Sequence, residues 1–184
     1  LFLTGYCMVA ALYVFALWNS PAPSFLVFMA LSAWHWGSAD SVAFNHNKPL
    51  WIFASLSRGA MVILCPVFFH PDICQAFFQA VAEVIPNSVV ISPMREAVAL
   101  ALAVSLLGDI VSSLFAYSLG LSTKRESLGR TAETIGLVLL FYSVAPLAAA
   151  GIYFIFIHSL KHSFRLISMF GIEDKPTALL ALIK

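Results

Sequence analysis

The chain has 184 residues, of which 61% are hydrophobic and only 10% are charged, and its mean hydropathy is +0.92. About a quarter of the residues in soluble domains are charged, so a water-soluble fold of this length would have too few charged groups to cover its surface. The formal net charge is +1 and no dense basic run is present, which argues against a nucleic-acid partner. The composition predicts an integral membrane protein.

Apolar blocks follow one another along the chain, and most are long enough to cross a hydrocarbon core, which takes roughly 20 helical residues. We predict six spans, at about 1–18, 25–44, 50–69, 95–119, 131–144 and 147–167. The block at 73–85 is too short to cross and suits an interfacial or re-entrant helix. Polar or proline-containing turns, including 86–93 and 120–129, separate the spans. The predicted fold is an all-α, polytopic transmembrane bundle.

We predict one helical domain over residues 1–184, because no repeat or low-complexity linker divides the chain. The sequence opens inside an apolar segment, and residues 177–184 resemble the start of another one, so we expect a piece of a longer protein. Alternating spans put most basic loop residues on one side, which the positive-inside rule makes the cytoplasmic side of the cell membrane. These residues are Lys48, Lys124, Arg125, Arg130, Arg165 and Lys175, with Arg95 opposite.

Histidines within the predicted spans are the most informative residues, because ionisable groups are costly inside a membrane. His35 lies roughly 15 Å into the second span and His158 roughly 16 Å into the sixth, which runs in the same direction. His162 follows His158 by four residues, so both share one helix face. Three imidazoles could thus hold one transition metal and leave positions open for a small molecule such as oxygen. The alternative is hydrogen bonding between helices.

Other polar residues in the spans are weaker candidates. His70 ends the third span at the opposite level and is a weak candidate ligand, while His46 lies in a loop and is expected to be solvated. Asp40, Arg58 and Asp109 could pair with one another, orient a ligating imidazole, or simply neutralise charge.

Aromatic residues crowd the helices that carry the histidines. They would suit a long, flat, apolar substrate, although for any single ring the sequence favours ordinary packing. The candidates for lining a substrate site are Trp34, Trp36, Tyr142, Tyr153 and Phe154.

The segment at 32–40, Ser-Ala-Trp-His-Trp-Gly-Ser-Ala-Asp, resembles the aromatic-His-aromatic-Gly-x-x-Asp motif of the Brp/Blh family of membrane β-carotene 15,15′-dioxygenases. The segment at 153–162, Tyr-Phe-Ile-Phe-Ile-His-Ser-Leu-Lys-His, resembles the family's Tyr-Phe…His-Ser-x-x-His segment. The stretches at 57–59 and 66–71 are also similar to the family's sequence between these motifs. The family's further His-Gly-x-x-Asp motif, on a more N-terminal helix, has no counterpart here.

This resemblance implies an enzyme with non-haem Fe(II) that cleaves the central double bond of β-carotene with O2 to give two retinals. It carries iron-ligand roles onto His35, His158 and His162, and it suggests that retinal is handed over to a rhodopsin. Two other functions stay open: an accessory protein for retinal or rhodopsin biogenesis without catalysis, and a membrane subunit with a bis-histidine haem. The membrane desaturases need more histidines than the five present.

Overall fold

The computed structural model describes residues 2–84 and 94–169, and all regular structure in these ranges is helical. A 3-10 turn, Val42–Phe44, follows the second helix, and a π-helical segment, Tyr153–Ser159, joins the last two. The prediction of an all-α fold is confirmed. In chain order the helices are α1 (Phe2–Asn19), α2 (Pro21–Asp40), α3 (Lys48–Phe69), α4 (Pro71–Val84), α5 (Arg95–Ser118), α6 (Lys124–Ser143), α7 (Pro146–Ile152) and α8 (Leu160–Met169).

Two of the described helices, α3 and α5, are long and apolar enough to cross a membrane by length and composition. The outward faces of the bundle are also apolar, as the exposed fractions of Leu12 (61%), Val104 (60%) and Leu139 (58%) illustrate. An apolar outer surface of this extent suits contact with lipid better than contact with water. The count of six crossings stays a prediction. The predicted loop at 86–93, Lys175 and the apolar segment at 177–184 lie outside the described residues.

Helix α6 begins at Lys124, within the segment predicted as a polar turn, and not at residue 131. The reason is a capping box: the Thr123 hydroxyl accepts from the Glu126 backbone amide, and the Glu126 carboxylate accepts from the Thr123 amide and hydroxyl. These bonds, led by the backbone one, lower the pKa of the exposed Glu126 carboxyl. Arg130 therefore lies inside a helix, and its prediction as a loop residue is wrong.

Helix α3 is central and packs closely against α2 through two glycines. A Cβ atom on Gly37 would lie 1.8 Å from the carbonyl oxygen of Ser55, and one on Gly59 would lie 1.8 Å from that of Ala33. Small residues of this kind let the backbones of two helices approach closely. Because His35 lies between Ala33 and Gly37, this crossing fixes where its backbone stands relative to α3.

The main hydrophobic core joins α3 to α5, α6 and the last helical stretch. Its buried side chains fill the space behind the segment that carries His158, so this segment is held against the bundle. They are Met61, Val62, Cys65, Leu102, Leu137, Phe141, Ala149 and Tyr153.

Candidate functional site

His35 and His158 lie side by side, as their predicted depths require. Their ring centroids are 6.1 Å apart with the ring planes tilted by 57°. His35 comes from α2 and is exposed, while the His158 side chain, on the π-helical segment, is 15% exposed. We call these two residues the histidine pair.

A buried carboxylate stands behind His158. Asp40, the last residue of α2, has no exposed side-chain surface, and its Oδ1 lies 3.4 Å from Nδ1 of His158. Its Oδ2 accepts a hydrogen bond of 2.9 Å from the Tyr153 hydroxyl. An imidazole whose Nδ1 faces a carboxylate presents Nε2 to a ligand, and such outer partners orient metal-binding histidines. Of the alternatives predicted for Asp40, its position favours the orienting one.

The π-helical segment explains how Asp40 reaches both Tyr153 and His158. In an α-helix, residues five apart point about 140° away from each other. In a π-helix the hydrogen bonds run from i to i+5, so such residues stack, and the Tyr153 and His158 rings are 6.0 Å apart. The prediction of an uninterrupted α-helix here is wrong, and the wider turn builds the contact with Asp40.

His162 is exposed on α8. Within residues 2–84 and 94–169, no group of three or more His, Cys, Asp or Glu side chains is arranged to hold a metal ion. The three-histidine ligand set therefore stays a prediction. Two neighbouring imidazoles, one of them backed by a carboxylate, nevertheless fit part of a transition-metal site.

The other two histidines stand apart from this pair. Nε2 of His70 lies 2.8 Å from the carbonyl oxygen of Phe141, near the end of α6, where a helix leaves its carbonyls without internal partners. This contact gives His70 a structural role in joining α3 to α6. His46 is exposed beside the 3-10 turn, as predicted.

Arg58 and Asp109 pair with each other, one of the alternatives that the sequence left open. Their side chains are fully buried, with Nη1 of Arg58 3.3 Å from Oδ2 of Asp109. Arg130 contacts the other carboxylate oxygen at 2.6 Å, and Arg58 also lies 3.2 Å from Glu133. We call this set, completed by Thr134 and Lys161, the ion-pair network.

Sequence reasoning missed half of this network. Thr134 donates to Asp109 over 2.6 Å and accepts from Arg58 over 3.1 Å, while Lys161 pairs with Glu133 and so ties α8 to α6. Arg130, Glu133 and Thr134 share a face of α6 by their helical spacing, which was a usable signal once α6 was known to begin at Lys124.

An apolar cleft of about 380 Å³ lies beside the histidine pair. Trp36 and Phe154, both predicted to line a substrate site, line it and pack edge to face with centroids 4.8 Å apart. The ring centroid of Phe154 also lies 5.9 Å from that of His158, so Phe154 separates the cleft from the His158 ring. The remaining lining is also largely apolar and includes Met29, Val62, Phe78, Phe141 and Leu147.

The other predicted lining residues lie elsewhere. Trp34 packs edge to face on Trp51 at 5.2 Å, and Tyr142 is exposed and packs on Phe69. Tyr153 is fully buried, with its hydroxyl on Asp40. Tyr153 thus belongs to the setting of His158 and not to the wall of the cleft.

Fold and site together define an all-α protein of membrane character, with an imidazole site beside an apolar cleft. The model of the beta-carotene 15,15'-dioxygenase family matches residues 1–183, and the chain belongs to this family. The chain is also 27% identical over 175 residues to the probable beta-carotene 15,15'-dioxygenase Blh of Halobacterium salinarum, covering 90% of this chain and 51% of that protein. It thus spans about half the length of this curated relative. No solved structure shows a significant match.

Proposed function

We propose that this chain takes part in the cleavage of β-carotene at its central double bond by O2, giving two retinals. The observation that carries the proposal is the histidine pair, which stands beside an apolar cleft with Phe154 as the shared wall. Family membership supports the substrate class. The cleft has the size and the apolar lining typical of small-molecule sites.

We propose Fe(II) as the cofactor, with His35, His158 and His162 as its protein ligands. When bound, an iron of this kind supplies the activation of O2 for attack on a carbon–carbon double bond. The chain's part is positional: Oδ1 of Asp40 faces Nδ1 of His158 at 3.4 Å, and the Tyr153 hydroxyl donates a hydrogen bond to Oδ2 of Asp40. Nε2 of His158 is thereby left for the metal.

The substrate's polyene would lie in the apolar cleft, where Trp36 and Phe154 present flat rings to it. Apolar walls exclude water and so protect reactive species from side reactions. A lipid-soluble carotenoid would enter from the bilayer, and we propose that the basic loops lie on the cytoplasmic side of the cell membrane. Retinal could then pass to a rhodopsin in the same membrane.

The test is the metal content of the purified chain, measured by elemental analysis, for wild type, His158→Ala and His46→Ala. We expect bound iron to fall by on the order of ten-fold or more in His158→Ala, because a ligand is lost. The exposed loop residue His46 is the matched control, and its variant should keep its iron. Expression in β-carotene-producing cells should give retinal with wild type and with His46→Ala alone.

Three outcomes would contradict the proposal. Iron retained at the wild-type level in His158→Ala would remove His158 from the metal site. A Soret band in the absorbance spectrum of the pure protein would identify haem and favour the bis-histidine subunit. Unchanged carotene together with bound iron would favour the accessory role without catalysis.

A further inference from the structure

Arg130 connects the ion-pair network to the end of the helix that carries His35. Its Nη2 contacts Oδ1 of Asp109 on α5 at 2.6 Å and also donates to the Ser41 hydroxyl at 3.1 Å. Its Nη1 donates to the backbone carbonyl oxygen of Asp40 at 3.2 Å. One guanidinium on α6 therefore joins α5 to the last turn of α2.

The end of α2 requires a partner of this kind. The last carbonyl groups of a helix have no partner within the helix, and basic side chains near that end bond them and interact favourably with the helix dipole. Helix α2 has no basic residue in its own last turn, which ends at Asp40. Arg130, 90 residues further along the chain, supplies the cation from a different helix.

The surroundings of the guanidinium favour arginine over lysine. Its central carbon lies 4.8 Å from the ring centroid of Phe44, in the 3-10 turn after α2, which is a cation–π distance. The Arg130 side chain is only 10% exposed, and Ser41 is fully buried. A guanidinium presents several donors in one fixed plane, whereas an ammonium is a compact point charge. A lysine here could keep a positive charge beside Asp109 but could not also bond both acceptors of α2.

We propose that Arg130 is a positioning residue of the histidine site. The residue whose carbonyl it binds is Asp40, and the carboxylate of that same residue faces Nδ1 of His158 at 3.4 Å. Holding the backbone of Asp40 sets where its carboxylate stands, and the carboxylate orients the imidazole. Contacts thus run from Asp109 through Arg130 and Asp40 to His158. The consequence of this arrangement for metal binding rests on the proposed function.

A matched pair of conservative variants, Arg130→Lys and Arg58→Lys, tests this role in the whole purified chain. Each variant keeps a positive charge beside Asp109. The hydrogen bonds and ion pairs of Arg58 go to α5 and α6, whereas those of Arg130 go to α5 and to the end of α2. A role in positioning the end of α2 therefore predicts different results for the two variants.

The first measurement is backbone hydrogen exchange followed by mass spectrometry, which needs no metal. In Arg130→Lys we expect the last turn of α2 to exchange on the order of ten-fold faster than in wild type, because hydrogen bonds from a charged group to Asp40 and Ser41 are lost. The same turn should exchange at the wild-type rate in Arg58→Lys.

The second measurement is the affinity for Co2+, a probe that imidazole ligands accept and that is followed by its visible absorbance. His158→Ala defines the binding that occurs outside the site. We expect the affinity to fall on the order of ten-fold in Arg130→Lys, since partners that orient metal-binding histidines contribute at least this much. Arg58→Lys should bind Co2+ as wild type does.

Unchanged exchange at the end of α2 in Arg130→Lys would overturn the proposal. Equal losses of Co2+ affinity in the two lysine variants would also overturn it, because the network would then act through stability alone. Should Arg130→Lys not fold, Ser41→Ala repeats the exchange measurement by removing one of the two bonds to α2. A wild-type chain that binds Co2+ no better than His158→Ala would contradict the proposed metal site, and the exchange rates would then decide the role of Arg130.

Discussion

The histidine site lies on α2 and the π-helical segment, whereas the ion-pair network lies on α3, α5, α6 and α8, and the polar groups of the two regions have different surroundings. In the network, Arg58 and Asp109 are fully buried and each contacts two oppositely charged side chains. In the site, His35 is exposed, and His158 faces a single carboxylate, that of Asp40, at 3.4 Å. The difference separates charges that hold the bundle together from groups left available to a ligand.

The physical reason lies in the side chains themselves. A guanidinium is always charged, so a buried Arg58 requires opposite charges around it wherever it lies. An imidazole can be uncharged, and an uncharged ring beside a cleft needs no opposite charge close to it. Ionisable residues within spans are commonly taken as functional, but here the more completely buried set serves structure.

The largest expected effect comes from breaking the network. Arg58→Met removes one partner and leaves Asp109 with less compensation in a fully buried position, so we expect the free energy of unfolding to fall by about 3 to 5 kcal/mol. His35→Ala, at an exposed position, should cost less than about 1 kcal/mol. Chemical denaturation in detergent micelles measures both.

A double variant sharpens this first comparison. Adding Asp109→Asn to Arg58→Met leaves the nearly buried Arg130 without its carboxylate partner, so the double variant should be less stable than Arg58→Met alone. If His35→Ala were as destabilising as Arg58→Met, the division between a structural and a ligand-binding region would fail.

The next largest effect is expected at the crossing that links the two regions. In Gly37→Ala the added methyl group would lie 1.8 Å from the carbonyl oxygen of Ser55, so α2 and α3 must separate. Overpacking of this kind lowers the free energy of unfolding by about 1 to 3 kcal/mol. His35 should move with α2, so bound iron should fall as well. Gly136→Ala is the matched control, because a Cβ there meets nothing within 4 Å and alanine favours the helix by up to about 1 kcal/mol. Equal effects of the two variants on stability would contradict this account.

The sequence predicted much of the fold because hydropathy reports directly on which segments can be apolar helices. The sequence also predicted equal depths for His35 and His158, because the rise per residue of a helix converts a residue count into a depth. It could not find the π-helical segment, because no local pattern marks one extra residue in a turn. The start of α6 was readable in Thr123 and Glu126, whose spacing is that of a capping box.

The pairings were harder to predict than the depths. Asp40, Arg58 and Asp109 were all candidates for the same roles, and only the helix rotations assign Asp40 to His158 and leave Arg58 with Asp109. Which faces meet depends on side-chain packing, and packing here depends on close contacts such as those of Gly37 and Gly59. The residue types alone do not predict how each helix is rotated about its own axis.

The smallest expected effect lies at Tyr153, which contacts the carboxylate of the histidine site. Tyr153→Phe removes the 2.9 Å hydrogen bond to Asp40 without changing the shape of the ring. A buried acceptor left without any partner costs up to about 3 kcal/mol, whereas a hydrogen bond to a group that keeps another partner contributes about 1 kcal/mol. Because Asp40 keeps the His158 ring 3.4 Å from its Oδ1, we expect the lower value by chemical denaturation, with no change in Tyr142→Phe, since Tyr142 is 64% exposed. A loss near the upper value would show that His158 gives Asp40 no compensation, and the assignment of Asp40 as the group that orients His158 would fail.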